Sequence, residues 1–302
     1  MPRRVTTIAS LATAALTGAA LAAAPAGATP TSSSGNTSTA AVPGVPLSCM
    51  AVFQAYSAPG SLYWYEYRNG RATSTRVSSN ALGWQPTSNQ QLGAAGDGGT
   101  SFFSSELATS KGGKLMQIRR DGKMVDGAWS VSQQAQTLQS SGWSGTRALA
   151  NGPRLYRLHG STLTRYTLGS QVLPKASVSG AVKVGSRFGG VRTLVYERSG
   201  VNNGKTIDVF LATDTSGRLL EYRFERTAPT RWTTKVLKSS GFANVRALTT
   251  APCGTKGRTI GTITDSNAMR VYYDANRSDS RGSDIKGGWT GKSGLTLPAF
   301  GQ

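Results

Sequence analysis

The stretch from residue 191 to residue 240 reads as four short strands separated by turns. Its segments are VRTLVYER (191–198), TIDVFLAT (206–213), the turn DTSG (214–217), RLLEYRFE (218–225) and TTKVLKSS (233–240). Segments rich in Val, Leu, Tyr, Thr and Phe between clusters of Gly, Asn, Asp and Ser are typical of strands and turns. Side chains alternate between the two faces of a strand, and Leu219 and Tyr222 are three residues apart, so apolar residues point to both faces of this sheet. Both faces must therefore be covered by neighbouring structure.

The same unit recurs along the chain. One six-residue motif occurs five times, at intervals of 53, 48, 56 and 50 residues. It consists of a turn residue, any residue, Leu or Met, two further residues, and an aromatic or apolar residue. The copies are Gly60-Ser-Leu62-x-x-Tyr65, Gly113-Lys-Leu115-x-x-Ile118, Ser161-Thr-Leu163-x-x-Tyr166, Gly217-Arg-Leu219-x-x-Tyr222 and Asn267-Ala-Met269-x-x-Tyr272. A second motif, Gly followed by an aromatic residue, falls between them. Its copies are Gly83-Trp84, Gly142-Trp143, Gly241-Phe242 and Gly288-Trp289, with Arg187-Phe188 as a departing copy.

Five copies of two interleaved motifs predict an all-β fold, a five-bladed β-propeller with four antiparallel strands per blade. A β-sandwich is the alternative that the strand content leaves open, although it does not require a fivefold repeat. The domain begins at CMAVFQAY (49–56) without a first strand and finishes at GLTLPAF (294–300). We therefore expect the C-terminal strand to serve as the innermost strand of blade 1 and to close the ring.

The chain divides into three parts. Residues 1–28 combine two early arginines, an Ala/Leu-rich stretch and a small-x-small triplet, which is typical of a secretory signal peptide. A membrane anchor is the alternative, but this stretch falls short of the roughly 20 apolar residues that a span needs. Residues 29–46 are rich in Thr, Ser, Pro and Ala and are predicted to be a disordered linker, and residues 47–302 form the propeller. We expect a secreted, extracellular protein without a membrane span.

Cys49 and Cys253 are the two cysteines, and they fall at matching points of blades 1 and 5. An exported protein reaches an oxidising compartment, so we predict that they form a disulfide that clamps the ring closure. Two free buried thiols are the alternative.

The charge balance of the chain is strongly basic. Lys and Arg number 34 against 14 Asp and Glu, a formal net charge of +20. Without Arg3 and Arg4 of the predicted signal, 32 basic residues remain and the formal charge is +18. This charge predicts attraction to anionic surfaces, although basic residues spread along a whole chain are also a general means of solubility.

The register after three of the repeated aromatic residues is shared. It reads Trp143-Ser-Gly-Thr-Arg147-Ala-Leu149, Phe188-Gly-Gly-Val-Arg192-Thr-Leu194 and Phe242-Ala-Asn-Val-Arg246-Ala-Leu248. Together with the Gly-x-Leu-x-x-Tyr strand once in about 50 residues, this pattern resembles the tachylectin-type propeller lectins and their secreted bacterial relatives over about residues 47–302. The resemblance implies a five-bladed ring that binds N-acetylated amino sugars, with one shallow site per blade and avidity from repetition.

The chain departs from this pattern in three places. Trp84 and Trp289 lack the following Arg, and Phe188 is preceded by Arg rather than Gly. Blade 2 also carries a long insertion, GAAGDGGTSFFSSELATSKGG (93–113). Five equivalent sites are therefore not expected.

Two sets of repeated residues are candidates for ligand contacts. Aromatic faces stack on sugar rings, so the aromatic repeat predicts carbohydrate-binding residues, with packing between blades as the alternative. They are Trp84, Trp143, Phe188, Phe242 and Trp289. The arginines of the shared register fall early in the innermost strands and predict anion or glycan contacts at the central tunnel, with backbone-capping or solvated arginine as the alternative. They are Arg147, Arg192 and Arg246.

Catalytic and metal sites find little support in the sequence. His159 is the one histidine and lies in a turn without a neighbouring Asp or nucleophile, so neither a triad nor a zinc ligand set is expected. Glu66, Asp214 and Asp265 are possible acceptors for sugar hydroxyls, although turn chemistry explains the two Asp residues equally well. We expect no catalytic residue, metal or cofactor.

The sequence thus predicts a secreted, non-catalytic, carbohydrate-binding protein, monomeric, with glycan partners of the N-acetylglucosamine, N-acetylgalactosamine or peptidoglycan type. One alternative is electrostatic capture of anionic cell-wall polymers or polysaccharide, which steep salt dependence would mark. A lesser alternative is a propeller glycoside hydrolase, which needs two carboxylates about 5–10 Å apart.

Overall fold

A computed structural model describes residues 41–77, 81–97, 100–126, 128–169, 176–292 and 298–300. These residues form five four-stranded antiparallel sheets, which confirms the predicted five-bladed β-propeller. The predicted signal peptide and residues 29–40 of the predicted linker lie outside the described residues. In the part of the chain that the structure describes, no helix is long and apolar enough to cross a membrane.

The twenty strands follow the blades in chain order. Blade 1 contains β1 (Ala51–Tyr56), β2 (Leu62–Arg68), β3 (Arg71–Arg76) and the C-terminal β20 (Ala299–Phe300). Blade 2 contains β4 (Pro86–Gly96), β5 (Ser101–Ser110), β6 (Leu115–Val125) and β7 (Ala128–Gln139). Blade 3 contains β8 (Thr146–Asn151), β9 (Leu155–His159), β10 (Thr162–Leu168) and β11 (Val178–Gly185). Blade 4 contains β12 (Val191–Asn202), β13 (Lys205–Asp214), β14 (Leu219–Glu225) and β15 (Trp232–Lys238). Blade 5 contains β16 (Val245–Cys253), β17 (Gly257–Thr264), β18 (Ala268–Asp274) and β19 (Lys286–Lys292).

The innermost strands β20, β4, β8, β12 and β16 contact one another in sequence around the axis. Each of them begins at the same end of the ring, which we call the mouth face, and ends at the opposite end, the base face. The connections between second and third strands, and those from one blade to the next, therefore lie at the mouth face.

The repeated leucine motif marks the start of the third strand in every blade. Leu62, Leu115, Leu163, Leu219 and Met269 are all buried. In blade 4, Leu219 packs into a cluster shared with blade 5, whereas Tyr222 packs into a cluster shared with blade 3. The predicted double-sided burial of this sheet is thus confirmed.

The ring closes as the sequence predicts. Strand β20 pairs antiparallel with β1 through Gln54 opposite Phe300 and Ala55 opposite Ala299. On the same side of the ring, Cys49 and Cys253 form a disulfide between blades 1 and 5, with their Cα atoms 5.1 Å apart.

The packed domain starts earlier in the chain than predicted. Residues 41–46, which we expected to belong to the disordered linker, are ordered against blades 1 and 5. Val42 and Val45 are buried in the same core cluster as Cys49 and Tyr67, and the Val42 amide donates to the Tyr67 hydroxyl at 3.3 Å. The burial of these two valine side chains favours the packed position of this short segment.

Buried polar groups also join neighbouring blades. Between blades 1 and 2, Tyr56 donates to Glu106, and Arg120 contacts both side chains. Between blades 3 and 4, Tyr156 donates to Asp208 at 2.9 Å. Because an unpaired polar group in such a place would be costly, these contacts fix which blade faces fit together.

The disulfide predicts a measurable contribution to stability. Replacing both cysteines (C49A/C253A) removes a covalent link across 204 residues of sequence, and the unfolded chain gains conformational freedom. We expect the free energy of unfolding in urea to fall by about 3–5 kcal/mol. The wild-type protein in reductant is the matched control and should unfold like the double variant. Equal stability of the oxidised and reduced wild-type protein would contradict the clamp.

The buried tyrosines predict loss of stability at alkaline pH. Burial raises the pKa of Tyr65 to about 12, and it also raises the pKa values of Tyr56, Tyr156, Tyr196 and Tyr222. These folded-state pKa values lie above those of the unfolded chain, so the stabilisation is complete below about pH 10 and is lost as pH rises toward the folded values. Phenolate absorbance should therefore rise together with unfolding. Ionisation of these tyrosines near pH 10 in a folded protein would contradict the burial.

Candidate functional site at the mouth of the axis

The three arginines of the shared register occupy one structural position. In β8, β12 and β16 the pairing with the second strand skips a residue, and the skipped residues are Arg147, Arg192 and Arg246. A β-bulge leaves its extra residue unpaired and re-aims its side chain. The bulges place these three arginines around a concavity at the mouth of the axis, where the sequence predicted them.

Arg147 and Arg192 reach toward the next blade. Arg147 donates to the carbonyls of Gly160 at 2.9 Å, Gly189 at 3.2 Å and Val191. Arg192 donates to the carbonyl of Val245 at 3.3 Å. Val191 directly precedes Arg192, and Val245 directly precedes Arg246. Arg147 and Arg192 thus each bind the carbonyl next to the bulged arginine of the following blade. This geometry supports the backbone-capping alternative and makes the arginines braces between blades.

The charges of these arginines are only partly neutralised. The acceptors of Arg147 are carbonyl oxygens, which hold the guanidinium in place without cancelling its charge. Arg192 also binds Asp265 at 2.9 Å, and Arg246 donates to Asn267 at 2.5 Å. Burial lowers the pKa of Arg246, and the effects of Asp265 and Tyr65 only partly oppose this. An anion at the mouth would therefore be favoured electrostatically.

Blades 1 and 2 complete the mouth without arginine. The bulge of β4 falls at Thr87, three residues after Trp84 rather than four, so the register that marks the arginines is lost in this blade. Ser88 and Asn89 of blade 2 and Phe300 of blade 1 line the rest of the concavity. Counting the space that opens to solvent, it encloses about 370 Å³.

The mouth face carries many more positive than negative charges. Of the 14 carboxylates in the chain, two lie at this face, Asp214 at the end of β13 and Asp265 just after β17. Asp214 binds Arg218 at 2.7 Å, and Asp265 binds Arg192. The exposed or half-buried basic residues in or beside the mouth-face connections are Arg76, Lys111, Lys114, Arg147, Lys183, Arg187, Arg192, Arg218, Lys238, Arg246 and Arg270. The mouth face therefore carries an excess of positive charge, because nearly all of the carboxylates lie elsewhere in the molecule.

Three of the predicted carbohydrate-binding aromatic residues belong to the core. Trp143 is 2% exposed, Phe188 is 0% and Phe242 is 2%. Trp143 packs on Tyr166 and under the Arg157 guanidinium, and Phe188 and Phe242 pack on other rings. Their faces are closed to a ligand, so the structure corrects the prediction in favour of the packing alternative.

The remaining two aromatic candidates differ from each other. Trp84 is half-buried in the connection from β3 to β4, at the mouth face. Trp289 is 63% exposed but lies within β19, opposite Arg270, and not in a connection between blades. Its Gly-Trp pair is therefore no copy of the repeat, and this part of the repeat assignment was wrong.

The other singled-out residues also have definite places. His159 is exposed at the end of β9, and Glu66 is half-buried beside Arg68. In the described ranges, no three His, Cys, Asp or Glu side chains form a group that could hold a metal ion.

One buried group brings two carboxylates together. Glu197 and Glu221 lie 3.7 and 3.3 Å from Nη1 of Arg258, which also binds Asp274 at 2.7 Å. Burial raises the pKa of Glu197, an effect that Arg258 opposes. Both glutamate side chains are at most 1% exposed, so this group ties blade 4 to blade 5 and is closed to a substrate.

A second set of aromatic rings was missed in the sequence. Trp64 on β2, Phe102 on β5 and Trp129 on β7 form a row across blades 1 and 2, and each ring is half-buried. The Phe-Phe pair in the insertion of blade 2 was the available signal. The sequence spacing does not reveal that Phe102 contacts Trp64 of the neighbouring blade.

Comparisons with known proteins add nothing to the assignment of fold or function. No family model and no curated protein matches the chain. Among solved structures, AofleA from Arthrobotrys oligospora is similar over 83% of this chain and 75% of its own, with 12% identity and a TM-score of 0.40. BBS1N in complex with ARL6DN is similar over 78% of this chain and 67% of its own, with 15% identity and a TM-score of 0.33. An apocarotenoid oxygenase from Synechocystis is similar over 78% of this chain and 77% of its own, with 9% identity and a TM-score of 0.32. At these values the likenesses carry no argument.

The brace role of the bulged arginines can be tested in Arg147→Gln. Losing bonds to three carbonyls of blades 3 and 4 should lower the Tm by about 2–4 °C, because the brace between the blades is lost and the carbonyl of the buried Val191 loses its donor. Arg187→Gln, in the neighbouring exposed connection, is the control for the loss of one positive charge. Equal Tm values for the two variants would show that Arg147 is merely solvated.

Proposed function

We propose that the chain is a secreted, non-catalytic carbohydrate-binding protein whose mouth face binds anionic glycans. The observation that carries this proposal is the segregation of negative charge: eleven exposed or half-buried basic residues lie in or beside the mouth-face connections, but only two of the 14 carboxylates lie at this face. The resemblance of the repeat to propeller lectins supports a glycan as the class of ligand.

The chemistry of the mouth suits carboxylate, sulfate or phosphate groups. A guanidinium has five N–H donors in a fixed fork and binds such groups bidentately. The backbone carbonyls hold Arg147 and Arg192 in defined orientations before any ligand arrives. This reduces the entropy lost when a ligand binds.

A polymer fits this face better than a small anion. The basic residues are distributed over all five blades rather than gathered in one pocket, and many weak contacts along one polymer add up through effective concentration. Such binding weakens as salt rises, because each contact between exposed charges is screened. Acidic cell-wall polymers and acidic polysaccharides have the required repeating charge.

Neutral N-acetylated amino sugars are the second candidate ligands, as the resemblance implies. Burial of Trp143, Phe188 and Phe242 removes the stacking surface at three of the five predicted aromatic positions. The half-buried Trp84 at the mouth face is the one repeat aromatic in a connection between blades that keeps an accessible ring. If the protein binds these sugars through the repeated aromatic residues, it therefore has fewer than one such site per blade.

Charge removal at the two faces tests the proposal. The variant K111Q/K114Q/R187Q removes three exposed charges from the mouth face, and K123Q/R231Q/K256Q removes three from the base face. With polygalacturonate as probe, the mouth variant should bind roughly tenfold more weakly than wild type at about 50 mM salt, and wild-type affinity should fall at least tenfold by about 200 mM.

The base-face variant has the same net charge and is the matched control. It should bind nearly as well as wild type. Equal losses in both variants would show that net charge alone governs binding, and undetectable binding of polygalacturonate by wild type would contradict the proposed function.

A further inference from the structure

Blade 2 extends beyond blade 1 at the base face. Its strands are 10 to 12 residues long, whereas β1, β2 and β3 of blade 1 have only six or seven. The insertion that set this blade apart in the sequence is thus a lengthened hairpin. Its far end projects past blade 1 and leaves part of the blade-2 sheet uncovered on the side that faces blade 1.

Three aromatic rings line this uncovered corner. The ring centroids of Trp64 and Phe102 lie 6.1 Å apart, and those of Phe102 and Trp129 lie 5.1 Å apart in an edge-to-face arrangement. All three rings are half-buried, so they form a continuous apolar strip from blade 1 to the outermost strand of blade 2 that stays in contact with solvent. We call this strip the aromatic cleft.

The backbone beneath the cleft is shaped for the central ring. Gly122 lies opposite Phe102 in the pairing of β5 with β6. A Cβ atom at Gly122 would lie 2.1 Å from the Phe102 ring, so the ring rests directly on the strand where only glycine leaves room. The position of the ring is therefore fixed by the sheet and not by a mobile loop.

Polar groups lie beside the rings. Ser104 is two residues from Phe102 on the same face of β5, but it is 3% exposed and its hydroxyl is closed to a ligand. Glu66 is two residues from Trp64 on the same face of β2 and is ion-paired with Arg68. The Glu66 carboxylate and the Arg68 guanidinium are partly exposed, and such groups next to aromatic faces are the combination that recognises the hydroxyls and the apolar face of a sugar.

The size of the cleft selects among possible occupants. A stable protein partner or a second copy of the chain needs about 800 Å² on each side, which is more than three half-buried rings provide. A pyranose ring matches the scale of one or two aromatic faces. An anion is not favoured here, because the Arg68 charge is paired with Glu66.

We propose that the aromatic cleft is a second binding site, which stacks neutral pyranose rings of a glycan on Trp64 and Trp129 and hydrogen-bonds their hydroxyls. The inference deepens the proposed function, because it rests on carbohydrate as the ligand class. The cleft lies toward the base face and lacks the charge excess of the mouth face, so the two sites can fail independently.

The test uses the full-length secreted protein and neutral probes, the N-acetylglucosamine trimer and cellotriose, with titration followed by tryptophan fluorescence and calorimetry. We expect at least one probe to bind, with affinity nearly unchanged between low and high salt. Trp129→Ala should weaken that binding at least tenfold, which corresponds to about 1.4 kcal/mol, and Trp64→Phe should weaken it less because a smaller aromatic face remains.

Trp289→Ala is the matched control, since Trp289 is the exposed tryptophan that the repeat pattern predicted as a site. It should leave binding unchanged. The Tm of each variant without ligand shows whether it folds, and Phe102→Leu provides a second change within the cleft should Trp129→Ala unfold.

The outcomes separate the two proposals. Binding lost in Trp289→Ala but kept in Trp129→Ala would overturn the cleft, as would the absence of neutral-probe binding by a wild-type protein that still binds polygalacturonate. Neutral binding that depends on Trp129, in a protein that ignores polygalacturonate, would support the cleft and overturn the anionic mouth.

Discussion

Closure of the ring is the constraint on which the rest of the structure depends. Blade 1 takes three strands from the start of the domain, and its innermost strand is β20, which comes last in the sequence. The pairing of Ala55 with Ala299 and the disulfide between Cys49 and Cys253 hold this seam from two sides. Once it is closed, five innermost strands begin around one axis, and any residue type repeated at their starts becomes a ring of side chains.

The bulged arginines show how this repetition becomes a charged surface. Arginine occupies one position of three consecutive blades, and two of these arginines, Arg147 and Arg192, brace their blade to the next through a backbone carbonyl. The carboxylates have other places: Glu106, Asp208 and Glu221 are buried between blades. Because much of the negative charge serves to join blades, the positive charge at the mouth stays in excess. Stability and the proposed ligand preference thus follow from one distribution of charges.

The sequence was a good guide to features that repeat and a poor guide to features that do not. The recurring Leu62-type positions predicted the blades, and the missing first strand predicted the closure. The shared register after the aromatic residues predicted that Arg147, Arg192 and Arg246 lie at the mouth. These inferences held because a repeat position has the same surroundings in every blade.

Burial and chance similarity explain the errors. A ring after a tight turn can point into the core or out of it, and spacing does not distinguish Trp143, which is buried, from Trp84, which is half-buried. The Gly-Trp pair at Trp289 matched a two-residue motif by coincidence. The aromatic cleft was out of reach because it depends on the unequal lengths of blades 1 and 2.

Hydrogen exchange in the presence and absence of polygalacturonate reports which end of the ring binds the ligand. We expect added protection at the mouth-face connections, among them residues 111–114, 140–145, 186–190 and 239–244, with the base-face turns unchanged. Protection confined to the base-face turns at 152–154, 203–204 and 254–256 would contradict this expectation.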